Sequence, residues 1–234
     1  MKPHYLVGKR IFVFDSQNEI IDHIRHEKKV LIAIGSEKIL NQDPKLREII
    51  NDGIGYPDGV GAVLALKRKG IRAVKIPGAE LWLKIIHAYH REKSFYLLGA
   101  AQEIIRLTGD KLKNDFPAIQ ILGYRNGYFD EAQYGEIKEE IRRKKPDVVF
   151  VALGSPRQEY IMSDLLKEHP ALYMGLGGSF DLYCGKTSPV PDWWCRYFLW
   201  EGLYRTLTDP GNRQRWKRPL PATRIIYRIL FDRL

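Results

Sequence analysis

Short apolar runs alternate with amphipathic segments along most of the chain, and this alternation restricts the fold more than any other feature. Six runs have the length and composition of buried strands: Val30–Ile34, Ile71–Ile76, Phe95–Leu98, Ile119–Leu122, Val148–Leu153 and Leu172–Leu176. Helical spacing is found at 36–51, 59–69, 79–92, 101–114, 130–144 and 156–168. Because connections of this length force neighbouring strands to run parallel, the pattern predicts a three-layer α/β/α sandwich with a mainly parallel, Rossmann-like sheet.

Glycines follow five of the six apolar runs. Ligands of such sheets bind at the carboxyl ends of the strands, and the segments there begin at Gly35, Gly99, Gly123, Gly154 and Gly175. Glycine lets the backbone turn sharply and lets a ligand approach, and a following helix N-terminus offers free N–H groups to a phosphate. Any single loop is better explained as an ordinary connection between a strand and a helix. Five such loops on one edge together indicate a nucleotide-type ligand.

Three segments contain polar side chains that could carry chemistry. Asp58 lies between Pro57 and Gly59 just ahead of a predicted helix, so it is either a helix N-cap or a group facing a cleft. The segment Arg157-Gln158-Glu159 opens another helix, where Glu159 could simply complement the helix dipole. Asp181 follows the Gly175–Gly178 loop and could meet a ribose hydroxyl or cap the next turn.

Several classes of chemistry lack their sequence signals. The histidine pairs have no third residue at metal-ligand spacing, and no Asp-x-Asp occurs, so we expect no metal and no cofactor. No serine or cysteine lies in a Gly-x-Ser-x-Gly motif. Two cysteines without a Cys-x-x-Cys pair favour a reduced, cytoplasmic setting. No signal peptide or spanning helix is evident, so any membrane contact is expected to be peripheral.

The positive charge of the chain is concentrated near its C-terminus. Residues 196–234 contain nine Lys/Arg and three acidic residues, a net charge of +6 out of +10 for the whole chain. Four of the five tryptophans lie in or just before this segment. Prolines at 189 and 191 precede it, so we predict an α/β catalytic domain at 1–191 and a helical, basic aromatic appendage at 192–234. Its aromatic residues are explained either by packing on the core or by contact with an anionic membrane.

Seven motifs occur in the order found in the WecB/TagA/CpsF (WecG/TagA) bacterial glycosyltransferases, glycosyltransferase family 26, and the chain resembles that family over nearly its whole length. The motifs are Glu37-Lys38-Ile39-Leu40, Tyr56-Pro57-Asp58-Gly59, Gly78-Ala79-Glu80-Leu81-Trp82, Gly127-Tyr128-Phe129, Gly154-Ser155-Pro156-Arg157-Gln158-Glu159, Gly175-Leu176-Gly177-Gly178-Ser179-Phe180-Asp181 and Trp200-Glu201-Gly202-Leu203-Tyr204-Arg205. The resemblance implies an inverting, metal-independent transfer of a hexose-type sugar from a UDP-sugar to a saccharide on a polyprenyl diphosphate. The reaction would take place at the cytoplasmic face of the bacterial membrane, in surface polysaccharide synthesis.

The resemblance also implies roles for individual residues. Asp58 matches the general base and Gln158 a donor-site residue important for activity, while Tyr128 and Asp181 match nucleotide contacts. Positive charge and backbone N–H groups would meet the leaving diphosphate. The positive charge is expected from Lys75, Arg157 and the arginines of the appendage. Gly154, Gly177 and Gly178 are the other expected substrate-binding residues of the α/β domain. In the appendage, the residues expected to meet the acceptor and membrane are Arg205, Arg213, Arg215, Lys217, Arg218 and Arg224.

Some positions depart from the pattern of the family. Gly35 and Ala33 replace an asparagine and a threonine, and Lys75 and Glu80 replace an arginine and an aspartate. The Arg-Ala-Pro after the glycine loop reads Pro189-Val190-Pro191. All these positions are expected near the sugars or the diphosphate. The sugar therefore stays open among N-acetylmannosamine, N-acetylmannosaminuronic acid and glucose, and so does formation of a homo-oligomer.

Two other functional classes compete with this one. The basic aromatic segment would suit a non-enzymatic nucleic-acid-binding module, but that reading leaves the glycine loops unexplained, so we expect no nucleic-acid partner. An NAD-dependent oxidoreductase would need a glycine-rich turn followed by an acidic residue about 20 positions later, which is lacking.

Overall fold

The computed structural model describes residues 2–188 together with Pro191, Tyr204 and Tyr227. The eight strands of this part are β1 (His4–Leu6), β2 (Lys9–Ile11), β3 (Val30–Ile34), β4 (Ile54–Pro57), β5 (Ser94–Gly99), β6 (Gln120–Arg125), β7 (Val148–Ala152) and β8 (Leu172–Gly175). Its nine helices are α1 (Gln17–Ile24), α2 (Ser36–Leu40), α3 (Pro44–Asp52), α4 (Val60–Arg68), α5 (Gly78–Tyr89), α6 (Gln102–Asp115), α7 (Glu131–Lys144), α8 (Arg157–Glu168) and α9 (Ser179–Tyr183).

Six of the strands form one sheet in the order β4-β3-β8-β7-β5-β6, and every neighbouring pair is parallel. The strands β1 and β2 form a separate antiparallel hairpin. The predicted α/β fold with a parallel sheet is therefore confirmed. Since all six strands point the same way, their carboxyl ends meet at one edge of the sheet.

Helices cover both faces of this sheet. In the central strand β7, Val148 and Phe150 pack into one apolar cluster with residues of α1, α5 and α6, while Val149 and Val151 pack into a second with residues of α3, α4 and α8. Every residue of β7 is buried, as expected of a strand covered on both sides. Each cluster is the interface between the sheet and one of the two helical layers, as the predicted three-layer sandwich requires.

One predicted strand is wrong, and another strand takes its place. Ile71–Ile76 forms no strand and lies in the connection between α4 and α5, where Val74 is 42% exposed. The sixth strand of the sheet is instead β4, which lies at one edge. It contains a glycine and a proline, residues that are typical of turns. Gly55 is required there because a Cβ would lie 2.6 Å from the carbonyl oxygen of Arg10. The arginine and lysine inside 71–76 suit an exposed connection better than a buried strand.

Two smaller expectations also change. The predicted helix 36–51 is two helices, because Asp43 caps a new one through its bonds to the backbone N–H groups of Lys45 and Leu46, with Pro44 at the first position. Gly123 lies inside β6 rather than in the loop after it.

The predicted appendage and its boundary remain predictions. Arg205, Arg213, Arg215, Lys217, Arg218 and Arg224 all lie outside the described residues. Within the described part of the chain, no helix combines the length and hydropathy needed to cross a bilayer.

Candidate functional site

A cavity of about 340 Å³ opens at the carboxyl edge of the sheet, where β3, β4, β7 and β8 end. Its walls come from the loops after these strands and from the first turns of α2, α5, α8 and α9. The lining residues are Ala33, Glu37, Lys38, Asp58, Pro77, Gly78, Ala79, Gly154, Ser155, Gln158, Gly175, Leu176, Gly177, Gly178, Ser179 and Leu182. Of the predicted site residues, the structure brings together Asp58, Gln158, Gly154, Gly177 and Gly178.

Asp58 is placed on the cavity by the register of β4. Its backbone N–H donates to the carbonyl oxygen of Ile34 at 3.0 Å, which continues the pairing of β3 with β4 past Pro57. The N-cap of α4 is Gly59, so the alternative in which Asp58 caps this helix is wrong. Burial and, second, the negative charge of Asp58 raise the pKa of Tyr56 well above its usual range, which keeps this tyrosine neutral.

Gln158 lines the cavity, although only 4% of its surface is exposed. Its Oε1 accepts a hydrogen bond from the backbone N–H of Gly177 at 3.0 Å, and its Nε2 donates to Oε1 of Glu159 at 3.0 Å. The amide thereby holds the glycine loop after β8 in place. The N–H of Gly177 is used inside the protein, while Gly177 itself lines the cavity, and its predicted contact with the substrate remains a prediction.

Lys38 is a cavity residue that sequence reasoning assigned no role. Its Nζ lies 3.3 Å from Oε1 of Glu159, and their side chains are 13% and 1% exposed. Glu159 is therefore a buried partner of this lysine rather than a surface charge that merely complements the helix dipole. The only signal in the sequence was the Glu37-Lys38-Ile39-Leu40 motif. The motif matches the family pattern, but it does not indicate that Lys38 pairs with Glu159.

The short helix α2, which carries Lys38, is held from below by a second lysine. The Nζ of Lys9, a residue only 2% exposed, donates to the carbonyl oxygens of Ile39 and Asn41 at 3.0 and 2.7 Å. These carbonyls lie at the C-terminus of α2, where a positive charge is favourable. A helix of five residues has little stability of its own, so this contact fixes one wall of the cavity.

Arg157 and Tyr128 lie at the same edge but do not line the cavity. The guanidinium of Arg157 donates to the carbonyl oxygen of Gly127 at 3.1 Å and stacks over the ring of Phe129 at 4.8 Å. These two contacts brace the loop that carries Tyr128, whose side chain is 79% exposed. Arg157 therefore stabilises this loop rather than lining the cavity. Tyr128 presents an exposed aromatic ring beside the ends of β5 and β6.

The other two predicted contacts also lie away from the cavity lining. Lys75 lies in the connection before α5. Asp181 lies in the first turn of α9, with its carboxylate 3.9 Å from the Nζ of Lys186 and its carbonyl accepting from the N–H of Lys186. Since the N-cap of α9 is Gly178, Asp181 does not cap that helix. Their predicted contacts with the donor remain predictions.

Potential metal ligands do not cluster in the part of the chain that the structure describes. No three His, Cys, Asp or Glu side chains of residues 2–188 and the three further described positions are close enough to hold an ion. Metal independence stays a prediction that needs a measurement of activity.

Replacing Gly175 by alanine tests whether the position of Gln158 matters. A Cβ at Gly175 would lie 2.6 Å from Nε2 and 2.9 Å from Cδ of Gln158, so the amide would have to move. Since a displacement of about 1 Å near a reacting group can cost about 100-fold in rate, we expect a loss of that order in turnover. The control is Gly135→Ala in α7, where a Cβ meets nothing within 4 Å. Full activity of a folded Gly175→Ala protein would contradict the prediction.

Comparison with known proteins identifies the family of the chain. Residues 6–234 match the sequence model of the family described as the glycosyl transferase WecG/TagA/CpsF family. A relative from Bacillus spizizenii (strain ATCC 23059 / NRRL B-14472 / W23) is 34% identical over 193 residues, covering 81% of this chain and 73% of the relative. It is named N-acetylglucosaminyldiphosphoundecaprenol N-acetyl-beta-D-mannosaminyltransferase. With a match over nearly its whole length, the chain belongs to the WecG/TagA/CpsF family and is a glycosyltransferase.

Proposed function

We propose that the protein is an inverting, metal-independent transferase that moves a hexose-type sugar from a UDP-sugar to a saccharide on a polyprenyl diphosphate, in bacterial surface polysaccharide synthesis. The observation that carries this proposal is the position of Asp58 on the cavity at the carboxyl edge of the sheet. The name of the relative favours N-acetylmannosamine as the sugar over N-acetylmannosaminuronic acid and glucose. It also favours an acceptor that carries N-acetylglucosamine on diphosphoundecaprenol.

A single carboxylate suffices for this reaction. Asp58 takes the proton of the acceptor hydroxyl while the hydroxyl oxygen attacks the anomeric carbon from the side opposite UDP. The new carbon–oxygen bond forms as the bond to the diphosphate breaks, which inverts the anomeric configuration. The electron pair of the broken bond leaves with UDP.

The leaving diphosphate needs more positive charge than the described cavity provides. Among the described residues that line it, Lys38 is the one Lys or Arg, whereas Glu37 and Asp58 are both acidic. Lys38 is itself paired with Glu159. This imbalance supports the proposal that the basic segment 192–234 completes the site and brings it to an anionic membrane surface, with the enzyme peripheral on the cytoplasmic face.

The exposed ring of Tyr128 supports a nucleotide donor. Its loop is fixed by Arg157 and by the bond from the N–H of Gly127 to the carbonyl oxygen of Ala100, at 2.8 Å. A fixed and exposed aromatic ring is a stacking surface for a base. Membership of a glycosyltransferase family leaves the nucleic-acid-binding and NAD-dependent alternatives without support.

The decisive experiment is a screen of UDP-sugars against a short-chain polyprenyl diphosphate acceptor that carries N-acetylglucosamine, with UDP release as the signal. We expect release only when donor and acceptor are both present, and fastest release with UDP-N-acetylmannosamine. Anomeric NMR of the product tests inversion. If no UDP-sugar is consumed with any acceptor of this class, the proposed function is wrong.

Activity in the presence of a strong chelator tests metal independence. We expect unchanged turnover in excess EDTA, because backbone N–H groups and cationic side chains, rather than a metal ion, are proposed to stabilise the diphosphate. The measurement is the initial rate before and after chelation. Loss of activity that added magnesium or manganese restores would contradict the proposal.

A further inference from the structure

A buried chain of polar contacts runs under the cavity from α2 to the glycine loop. It begins at the Nζ of Lys38, passes through Oε1 of Glu159 and the amide of Gln158, and ends at the N–H of Gly177. The three contact distances are 3.3, 3.0 and 3.0 Å. Two walls of the cavity are thus joined through side chains that are no more than 13% exposed.

The two contacts of Gln158 fix which way its amide points. A carboxylate can only accept hydrogen bonds, so the NH₂ group must face Glu159. A backbone N–H can only donate, so the carbonyl oxygen must face Gly177. Both partners demand the same orientation, and turning the amide over would place oxygen against oxygen and hydrogen against hydrogen. Glu159 therefore sets the direction in which Gln158 presents its oxygen to the loop.

Folding alone does not explain a carboxylate at this position. Glu159 is 1% exposed, and its Oε2 has no hydrogen-bond partner among the described residues. Removing a charge from water is costly, and apolar residues of the same volume often replace a buried ion pair without loss of stability. The carboxylate lies directly beside the amide it orients and the lysine that lines the cavity. Its position thus suits a role at the site better than a role in packing.

We infer that Glu159 and Lys38 are positioning residues, whose buried ion pair orients the amide of Gln158 and thereby holds the glycine loop in the shape that binds the donor. Lys38 holds the carboxylate of Glu159 in place, and Glu159 accepts a hydrogen bond from Gln158. The inference rests on the proposed function in that the loop is taken to hold the UDP-sugar. The orientation of Gln158 itself can be measured without any substrate.

The test compares removal of one partner with removal of both. Lys38→Met leaves a buried carboxylate without its partner, so we expect a lower Tm. Lys38→Met combined with Glu159→Leu removes both charges, and we expect its Tm to return towards that of the unmodified protein. Glu159→Gln is the conservative variant, because its carbonyl can accept the same bonds without charge. Glu103→Gln, at an exposed position in the first turn of α6, is the matched control.

The readouts are the exchange rate of the Gly177 amide by NMR of glycine-labelled protein, the affinity for UDP, and kcat and KM for the donor. In the double variant we expect faster exchange at Gly177 and a loss of about 10- to 100-fold in UDP affinity or kcat/KM, although Tm has recovered. Glu159→Gln should fall between this variant and the unmodified protein. Glu103→Gln should match the unmodified protein in every readout.

A double variant with native Gly177 exchange and native UDP affinity would show that the pair only packs, and would overturn the inference. If variants with Glu159→Leu do not fold, Glu159→Gln decides the question: faster Gly177 exchange supports positioning, and native exchange with native UDP affinity overturns it. The unmodified protein tests the proposed function separately. If it consumes no UDP-sugar, that function fails, while the exchange rate of Gly177 still decides whether Glu159 orients Gln158.

Discussion

Replacing Asp58 by asparagine is expected to lower kcat by about 10²- to 10⁴-fold, the range that general base catalysis contributes. Asparagine has the same shape but cannot take a proton from the acceptor hydroxyl. The bond from the N–H of residue 58 to the carbonyl oxygen of Ile34 comes from the backbone and is kept. The affinity for UDP should therefore stay within about twofold of the native value, since the lost step concerns the acceptor. The measurements are single-turnover rates and calorimetric titration with UDP.

The matched control is the other carboxylate that lines the cavity. Glu37 lies in the first turn of α2, is exposed, and borders the same space. Glu37→Gln removes one negative charge from the cavity without removing Asp58, so we expect only a small change in kcat. Near-normal turnover of Asp58→Asn would remove the assignment of this residue as the base. A large loss in Glu37→Gln alone would move the assignment to that residue.

The position of the site was predictable from the sequence, because it depends on the direction of the strands. Parallel strands bring their carboxyl ends to one edge whatever their order, so Gln158 and the glycine loops could be placed at that edge without coordinates. Asp58 could not be placed there, because the strand that it follows, β4, was not predicted. Strand β4 was missed because Gly55 and Pro57 have low strand propensity. Gly55 is needed only because the carbonyl oxygen of Arg10 approaches within 2.6 Å of its would-be Cβ, a contact that local sequence does not reveal.

The pair of Lys38 and Glu159 could not be predicted for a similar reason. The two residues are far apart in sequence. Lys38 lies on α2, which follows β3, and Glu159 lies on α8, which follows β7. The two helices come together because β3 and β7 are separated in the sheet by β8 alone. Sequence spacing identifies neighbours along one helix or strand, but not neighbours across a sheet. The same limit applies to Arg157, whose partner is the carbonyl oxygen of Gly127 rather than a group in the cavity.

The charge of the C-terminal segment provides the second large expected effect. Residues 196–234 carry a net charge of +6, with tryptophans and tyrosines interspersed. Arginine pairs well with phosphate groups, and each basic residue near an anionic leaflet adds about 1 kcal/mol of binding. Several acting together would hold the enzyme at the surface where a polyprenyl acceptor lies. The same residues would supply the cations that the described cavity lacks.

Deleting residues 192–234 should therefore abolish binding to anionic liposomes and most turnover, yet leave a folded α/β core that binds UDP. The measurements are liposome flotation, UDP release, circular dichroism and UDP titration. A full-length variant with alanine at Arg213, Arg215, Lys217 and Arg218 removes positive charge but keeps the aromatic residues. We expect this variant to lose binding to anionic liposomes and to show no increased binding to neutral liposomes. An unfolded deletion protein would show that the aromatic residues complete the core. A deletion protein that is folded and still binds liposomes would show that the C-terminal charge is not needed for membrane binding. The membrane contact would then lie elsewhere in the chain.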